Sequence, residues 1–350
     1  MLPTTAPAQQ LRGTLIRPDS VAPAARVLVE WSAEEATGRL VTDDSGRFTV
    51  RLALPGTVRL RVLRPGFRPE SLPPQLLARG EVRALTYILR GSSVTLAPMR
   101  VEEDRICGPR GEAVAWQLWE QARAVLLSTQ IAARDSSLDV EAVQYQANVF
   151  GGELDLREES VRRVGLEDPH PPTYYDSLFR FGFIRRSLHS DTTTYHAPTL
   201  PVVADERFAE RYCFRRVADE ARHPDWVGVE FEPARVPGPG IADVTGIFWL
   251  DRATLHLREV QYAYVNPPIH HRIDGLGGEL RFEELPSGHW ILRQWEVRMP
   301  RFSGWSSSER RAVGLWAEGR MVSRVRRAGA LVYEDPAAEA LLRRAAGADR

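Results

Sequence analysis

Between residues 11 and 90, apolar and polar positions alternate in short runs separated by turn residues. Leu11, Gly13 and Leu15 form one set, followed by Val27, Val29 and Trp31, then Phe48, Val50 and Leu52, then Val58, Leu60 and Val62. A period of two places each set on one face of a strand and leaves Arg12, Glu30, Arg47, Arg51, Arg59 and Arg61 on the opposite faces. Asp44-Ser45-Gly46 predicts a tight hairpin, Pro55-Gly56 a second turn, and Val82 to Leu89 a closing strand. Two such apolar faces stacked together predict a small antiparallel β-sandwich.

From Gly111 the period changes. Val114, Trp116, Leu118, Trp119, Ala122, Val125 and Leu126 recur at steps of three and four, which predicts an amphipathic helix ending near Arg134. Strand periodicity then returns. Val227, Val229 and Phe231 alternate with polar residues, as do Leu280 with Phe282 and Trp295, Val297 with Met299, and Pro286-Ser287-Gly288 joins two of these runs as a hairpin. In Leu255 to Tyr264 the apolar parity slips between Leu257 and Val260, which predicts a β-bulge. The expected fold is mainly β: a seven-stranded N-terminal sandwich and a C-terminal α+β domain whose curved antiparallel sheet packs on a helix. The expected organisation is a signal-peptide remnant or disordered stretch at 1–10, a sandwich at 11–91, a linker at 92–105, the half-barrel-like α+β domain at 106–335 and a polar tail at 336–350.

The first domain resembles a known family on specific residues. Gly13-Thr14-Leu15, Val27-Leu28-Val29, Thr42-Asp43-Asp44-Ser45-Gly46-Arg47-Phe48, Pro55-Gly56-Thr57-Val58-Arg59-Leu60-Arg61-Val62 and Gly66-Phe67 follow the pattern of the carboxypeptidase regulatory-like domain, with Val58 where an aromatic is common. That resemblance implies a transthyretin-like sandwich but no single activity, because the module accompanies peptidases, outer-membrane receptors and other envelope proteins. Gly246-Ile247-Phe248-Trp249-Leu250-Asp251-Arg252-Ala253-Thr254 resembles the strand-opening pattern of lipoprotein-carrier-type half-barrels. This second resemblance covers a hairpin register only.

Composition narrows function mainly by exclusion. The 46 basic residues balance 46 acidic ones, which removes the electrostatic footprint of a nucleic-acid binder, and no apolar run is long enough for a transmembrane segment. All 46 basic residues are arginine, so lysine chemistry such as a Schiff base or a P-loop does not occur. Ala6-Pro7-Ala8 before Gln9 has the small-x-small form of a signal-peptidase site, which suggests export to the periplasm or cell envelope. The two cysteines, Cys107 and Cys213, are either two buried free thiols or one bridge; the bridge would contribute about 4 to 5 kcal/mol by chain entropy.

Candidate chemistry is sparse. His256 and Glu259 have the H-x-x-E spacing of zinc carboxypeptidases, but positions three apart in a strand face opposite sides. His270-His271 lacks an evident third ligand, Ser306-Ser307-Ser308 lacks the glycine frame of a hydrolase elbow, and Glu153, Asp155, Glu158 and Glu159 read as a solvated face among arginines. An enzyme would require His189, His196, His270 or His271 to converge on carboxylates. The aromatics Tyr174, Tyr175, Phe179, Phe181, Phe183, Tyr195, Phe248, Trp249, Tyr262, Tyr264, Trp290 and Trp295 either form core or line a cavity; Trp249, Tyr262 and Trp295 are the expected pocket residues. The expectation is therefore a non-catalytic, cofactor-free, metal-free binding protein of the cell envelope for an apolar ligand, a glycan or an envelope protein. The alternative is an accessory protein that docks a partner of an outer-membrane system through a sheet edge without a pocket, and a metal-dependent hydrolase stands third.

Overall fold

The structure, a computed structural model, describes residues 9–18, 22–94, 105–108, 113–150, 153–165, 172–187, 192–218, 221–268, 273–303 and 311–348. Eight strand segments build the N-terminal sandwich: β1 (Gln9–Ile16), β2 (Leu28–Ser32), β3 (Thr37–Val41), β4 (Arg47–Leu52), β5 (Gly56–Leu63), β6 (Glu70–Ser71), β7 (Gln75–Leu77) and β8 (Val82–Ile88). They form a three-stranded sheet ordered β4-β1-β8 and a second sheet ordered β3-β2-β5-β6, with β7 also on β5. The alternation delivers the expected core: Leu11, Leu15, Val29, Phe48, Val50, Val58, Leu60 and Val62 are all buried between the sheets. The Phe48 ring lies over Gly13, where any side chain would collide with it.

The second unit opens with β9 (Ile106–Cys107), α1 (Val114–Ala132), β10 (Leu138–Phe150), β11 (Glu153–Gly165), α2 (Pro172–Phe181), β12 (Ile184–Arg186) and β13 (Thr193–Tyr195). It continues with α3 (Leu200–Val203), α4 (Glu206–Arg211), β14 (Tyr212–Val217), β15 (Trp226–Pro233), β16 (Asp243–Asp251), β17 (Leu257–Val265), β18 (Gly277–Glu284), β19 (Trp290–Ser303), β20 (Arg311–Arg327), β21 (Ala330–Glu334) and α5 (Pro336–Ala348). One open antiparallel sheet runs β11-β10-β20-β19-β18-β17-β16-β15-β14-β9, and β21 pairs with β20. The anticipated slip in β17 is a bulge, since Trp249 pairs Glu259 while Leu250 pairs Leu257. The Pro286-Ser287-Gly288 hairpin joins β18 to β19 with Gly288 at φ 77°.

Helix α1 is buried on nearly its whole circumference. Its apolar side meets the sheet, as the stripe predicts, with Trp116 and Trp119 packed on Phe214 of β14. Its other side carries Gln121 and Arg123, 2 % exposed each, and abuts the sandwich, whose Leu28 and Leu63 belong to the same core cluster. The order of layers is thus sandwich, helix, sheet. A correction concerns the C-terminus: the stretch expected as a polar tail at 336–350 is helix α5, because Ala338 and Leu341 are buried on Val143, Tyr145 and Ala147 of β10. Ala6-Pro7-Ala8, most of the linker (95–104), His189, His270, His271 and Ser306-Ser307-Ser308 lie outside the described residues, as do the side chains of Glu153, Asp155, Glu158, Glu159 and Tyr174.

Candidate functional site

The two outer faces of the sandwich have different fates. On the β3-β2-β5 side, the alternation that buries Val29 and Leu60 points Glu30 and Arg61 at α1. Arg123 donates to Glu30 Oε1 at 2.8 Å, Arg39 Nε reaches the same oxygen at 2.9 Å, and Arg61 pairs with Glu120. Burial alone would raise the Glu30 carboxyl, but hydrogen bonds and charge from Arg123 and then Arg39 outweigh it and hold Glu30 below its ordinary value. Beside them the Gln121 amide accepts from Gly66 N–H at 2.8 Å and donates to Phe67 O at 2.9 Å. Gly66, at φ 83°, leaves no space for a Cβ because the Thr254 carbonyl would lie 2.9 Å from it. These contacts lock the sandwich to the second unit. On the β4-β1-β8 side, Arg12, Arg47 and Arg51 stay exposed.

Where sandwich, helix end and hairpin meet, three polar side chains form a chain that sequence reasoning missed. Ser287 Oγ lies 2.8 Å from His289 Nδ1, and His289 Nε2 lies 3.2 Å from Asp135 Oδ2. With Asp135 accepting, Nε2 carries the hydrogen and Nδ1 accepts from the Ser287 hydroxyl. Burial first, and then the positive charge of Arg26, lower the His289 pKa against the opposing pull of Asp135. This serine–histidine–aspartate order is that of an acyl-transfer relay. Two features argue against that use. The adjoining cavity of about 30 Å³, lined by Arg26, Ser128, Asp135 and His289, admits water but no substrate. The neighbouring Gly288 N–H already donates to Leu285 O at 2.7 Å, so it cannot serve an oxyanion. The sequence signal was faint, since 152 to 154 residues separate Asp135 from the hairpin pair.

The expected pocket residues do not converge. Gly246 pairs with Tyr262, Gly278 with Val297 and Leu280 with Trp295, which puts Tyr262 and Trp295 on the sheet face that α1 covers. Trp249 pairs with Gly228 and Glu259 on the opposite face, where its indole donates to Gln261 at 3.1 Å and its ring meets His223. Tyr262 and Trp249 are 5 % and 3 % exposed, and neither they nor Trp295 line the cavity at His289 or the cleft between Arg105 and Val265. Phe183, Phe248, Tyr262, Tyr264 and Trp290 are core, and Tyr195 and Trp295 pack against it. Phe181, in contrast, is 54 % exposed.

The Trp249 face carries a self-paired polar array instead of a site. Glu259 accepts from Gln261 at 2.6 Å and faces Arg281 at 3.3 Å, while Glu296 accepts from Tyr145 at 2.7 Å and from Arg298 at 2.5 Å. Burial, reinforced by the charges of Glu259 and Glu296, raises the Glu279 pKa although Arg281 opposes it. A larger cleft of about 490 Å³ lies beside β9, between Arg105, Glu232, Pro233, Val236, Pro237 and Val265. Val236 is 95 % exposed, so this is a surface groove rather than an enclosed pocket.

Cys107 and Cys213 are bonded across β9 and β14, where they sit directly opposite one another. His256 and Glu259 do not share a ligand position: His256 lies 3.2 Å from Glu284, and Glu259 belongs to the array above. Among the described residues, no group of three or more His, Cys, Asp or Glu side chains is arranged to hold a metal. His196 contributes its backbone carbonyl to Tyr264. Among the described residues, no helix is long and apolar enough to cross a membrane.

Residues 10–90 match the family model of the carboxypeptidase regulatory-like domain, so the sandwich is such a domain. No curated protein matches the chain. Among solved structures, similarity is found to 5-hydroxyisourate hydrolase of Klebsiella pneumoniae, at 17 % identity and a TM-score of 0.20, over 24 % of this chain and 87 % of that one. A DUF1329 family protein of Desulfovibrio piger matches at 11 % identity and a TM-score of 0.27, over 59 % of this chain and 91 % of that one. A putative carbohydrate binding protein of Bacteroides uniformis matches at 8 % identity and a TM-score of 0.20, over 74 % and 98 %. At these TM-scores none of the three likenesses bears on activity.

Proposed function

We propose that the protein is a non-catalytic interaction protein of the cell envelope that works through its surface and holds no ligand in its interior. The observation that supports this most is the filled concavity. Over β14, β15, β16, β17 and β19 the sheet face that would shelter an apolar ligand is covered by α1, and the far side of α1 meets the sandwich through Arg123, Glu30 and Gln121. Among the described residues, Trp249, Tyr262 and Trp295 line neither the cavity at His289 nor the cleft beside β9, so neither of these offers a lipid or glycan a site there. The Cys107–Cys213 bridge supports an oxidising compartment, as in periplasmic or secreted proteins.

Native mass spectrometry of protein recovered from the periplasm of an expressing cell tests this. The expected result is a ligand-free chain lighter than its reduced form by two hydrogens. A lipid or glycan bound one-to-one and released on denaturation would overturn the reading.

A second reading is favoured by the Ser287–His289–Asp135 chain alone: acyl transfer with Ser287 as nucleophile. Labelling of the wild type by a fluorophosphonate, with no labelling of Ser287→Ala, would establish it. Absence of label on the folded protein eliminates it.

A further inference from the structure

We infer that the C-terminal end of α2 and the loop joining β15 to β16 dock on a bilayer surface of anionic phospholipid; this rests on the surface-interaction reading above. The first observation is where apolar side chains protrude. Phe181, the last residue of α2, is exposed, and so are Val236 and Ile241 of the loop. Helix end and loop are joined: Phe183 N–H donates to Ala242 O at 2.8 Å, and a Cβ on Gly182 would lie 3.1 Å from the Ile241 side chain. The loop itself is braced. Ile241 N–H donates to Gly238 O at 3.1 Å, and the Asn266 amide, just beyond β17, donates to Gly238 O at 3.2 Å and to Ile241 O at 3.0 Å. A fixed turn thus holds Ile241 beside the end of α2, with Val236 on the same loop.

The second observation is charge at those same positions. The Arg180 guanidinium lies 5.1 Å from the centre of the Phe181 ring and the Arg185 guanidinium 5.7 Å from it. Arg207 and Arg211 lie 5.1 and 5.4 Å from the neighbouring Phe179 ring, and Arg235 is exposed directly before Val236. The nearby carboxylates are already engaged: Asp176 and Asp205 by Arg207, Glu232 by Arg105, and Asp243 by the Tyr212 hydroxyl. Among the described residues, Arg180, Arg185, Arg211 and Arg235 have no carboxylate partner, and Arg185 donates to Ser177 Oγ at 2.8 Å instead. Apolar tips and unneutralised cations therefore coincide.

This combination selects a bilayer over a protein. A stable protein interface covers about 800 Å² on each partner around a continuous apolar centre. Phe181, Val236 and Ile241 are instead single side chains on a helix end and a loop, and an exposed arginine precedes each of the first two. Such tips reach the acyl boundary while neighbouring guanidiniums stay at the depth of the headgroups. With no lysine in the chain, every cation here is a guanidinium, which grips phosphate oxygens in pairs and rests on an aromatic face. A zwitterionic surface has no net charge to answer these cations, so the lipid is anionic.

The test is co-sedimentation of the full chain with vesicles of phosphatidylglycerol and phosphatidylcholine in equal parts, against vesicles of phosphatidylcholine alone. The expected result is binding to the anionic vesicles that weakens as salt is raised, and binding to the zwitterionic ones weaker by about tenfold or more. Arg180→Glu/Arg235→Glu and Phe181→Ser/Val236→Ser should each weaken binding to the anionic vesicles by about tenfold or more. All four side chains are exposed, so the fold is retained. Arg51→Glu/Leu54→Ser, which removes an exposed charge and an exposed apolar side chain from the sandwich, should bind as the wild type does. Absence of binding, equal binding to both vesicles, indifference to either patch variant, an equal loss in the sandwich variant, or tighter binding to polyglutamate than to the vesicles would each overturn this inference. Protein washed from the vesicles at high salt should carry no lipid in native mass spectrometry. The surface-interaction reading fails only on a ligand retained one-to-one, so the two failures are distinguishable.

Discussion

His289 is the residue whose protonation the fold opposes most visibly. It is 4 % exposed, with the Arg26 guanidinium nearby and only Asp135 to favour a charge. The folded pKa lies below the unfolded value of 6.5, so the folded state binds the proton less readily than the unfolded chain. The associated stability is fully present above 6.5 and declines as pH falls from there towards the lowered folded value. Glu30 behaves separately, since its folded pKa lies below the unfolded value of 4.5 and its contribution is lost only as pH falls beneath that. Urea unfolding followed from about pH 7.5 to about pH 3.5 should show stability falling on the acid side. His289→Gln should flatten the fall below 6.5 while leaving the loss below 4.5 in place. An unchanged profile in His289→Gln would show that other groups drive it.

At the scale of elements, α1 shows which parts of the structure the sequence declares and which it hides. Val114, Trp116, Leu118, Trp119, Ala122 and Val125 announce the stripe that meets the sheet. Nothing in the local pattern announces that Gln121 and Arg123 are as buried as the stripe, because their partners Glu30, Gly66 and Phe67 lie more than 50 residues away. Polar residues read as solvated until a long-range partner is known. The same blindness hid α5: of its alanine- and arginine-rich run, Ala338, Leu341 and Leu342 pack at the β10 face, too little apolar signal to separate a docked helix from a tail. The sandwich strands, written with a period of two and punctuated by Asp44-Ser45-Gly46 and Pro55-Gly56, were legible because short strands are specified by neighbours in sequence. Side-chain type marks Trp249, Tyr262 and Trp295 as aromatic but does not say that Trp249 lies on the opposite sheet face from Tyr262 and Trp295. The α1 interface is testable by substitution. Glu30→Leu leaves the Arg123 guanidinium buried with Glu206, at 3.3 Å, as its remaining carboxylate, and should cost about 3 kcal/mol in urea unfolding. Adding Arg123→Leu should recover most of that loss, since no unpaired charge then remains; an additive double variant would refute the coupling.

For the whole molecule the decisive matter is whether sandwich and sheet unfold together. The family match makes the sandwich a module, and modules joined by linkers ordinarily unfold independently. Here α1 shares its core cluster with Leu28 and Leu63 of the sandwich, Arg327 of β20 pairs with Asp44 of the sandwich hairpin at 2.6 Å, and a Cβ on Gly66 would lie 2.9 Å from the Thr254 carbonyl. These contacts argue for one cooperative unit despite the modular sequence. The Cys107–Cys213 bridge supplies a clean probe because it lies entirely within the second unit, between β9 and β14, and spans 106 residues. By chain entropy, Cys213→Ser should lower stability by about 4 to 5 kcal/mol. If the molecule is one unit, native-state hydrogen exchange will show the slowest amides of β1 and of β16 losing the same free energy. If the sandwich is independent, β16 alone will respond and β1 will keep its wild-type protection. The buried polar contacts of Gln121 and Arg123 favour the first outcome, because separating the two bodies would expose α1 on the side that now holds them together.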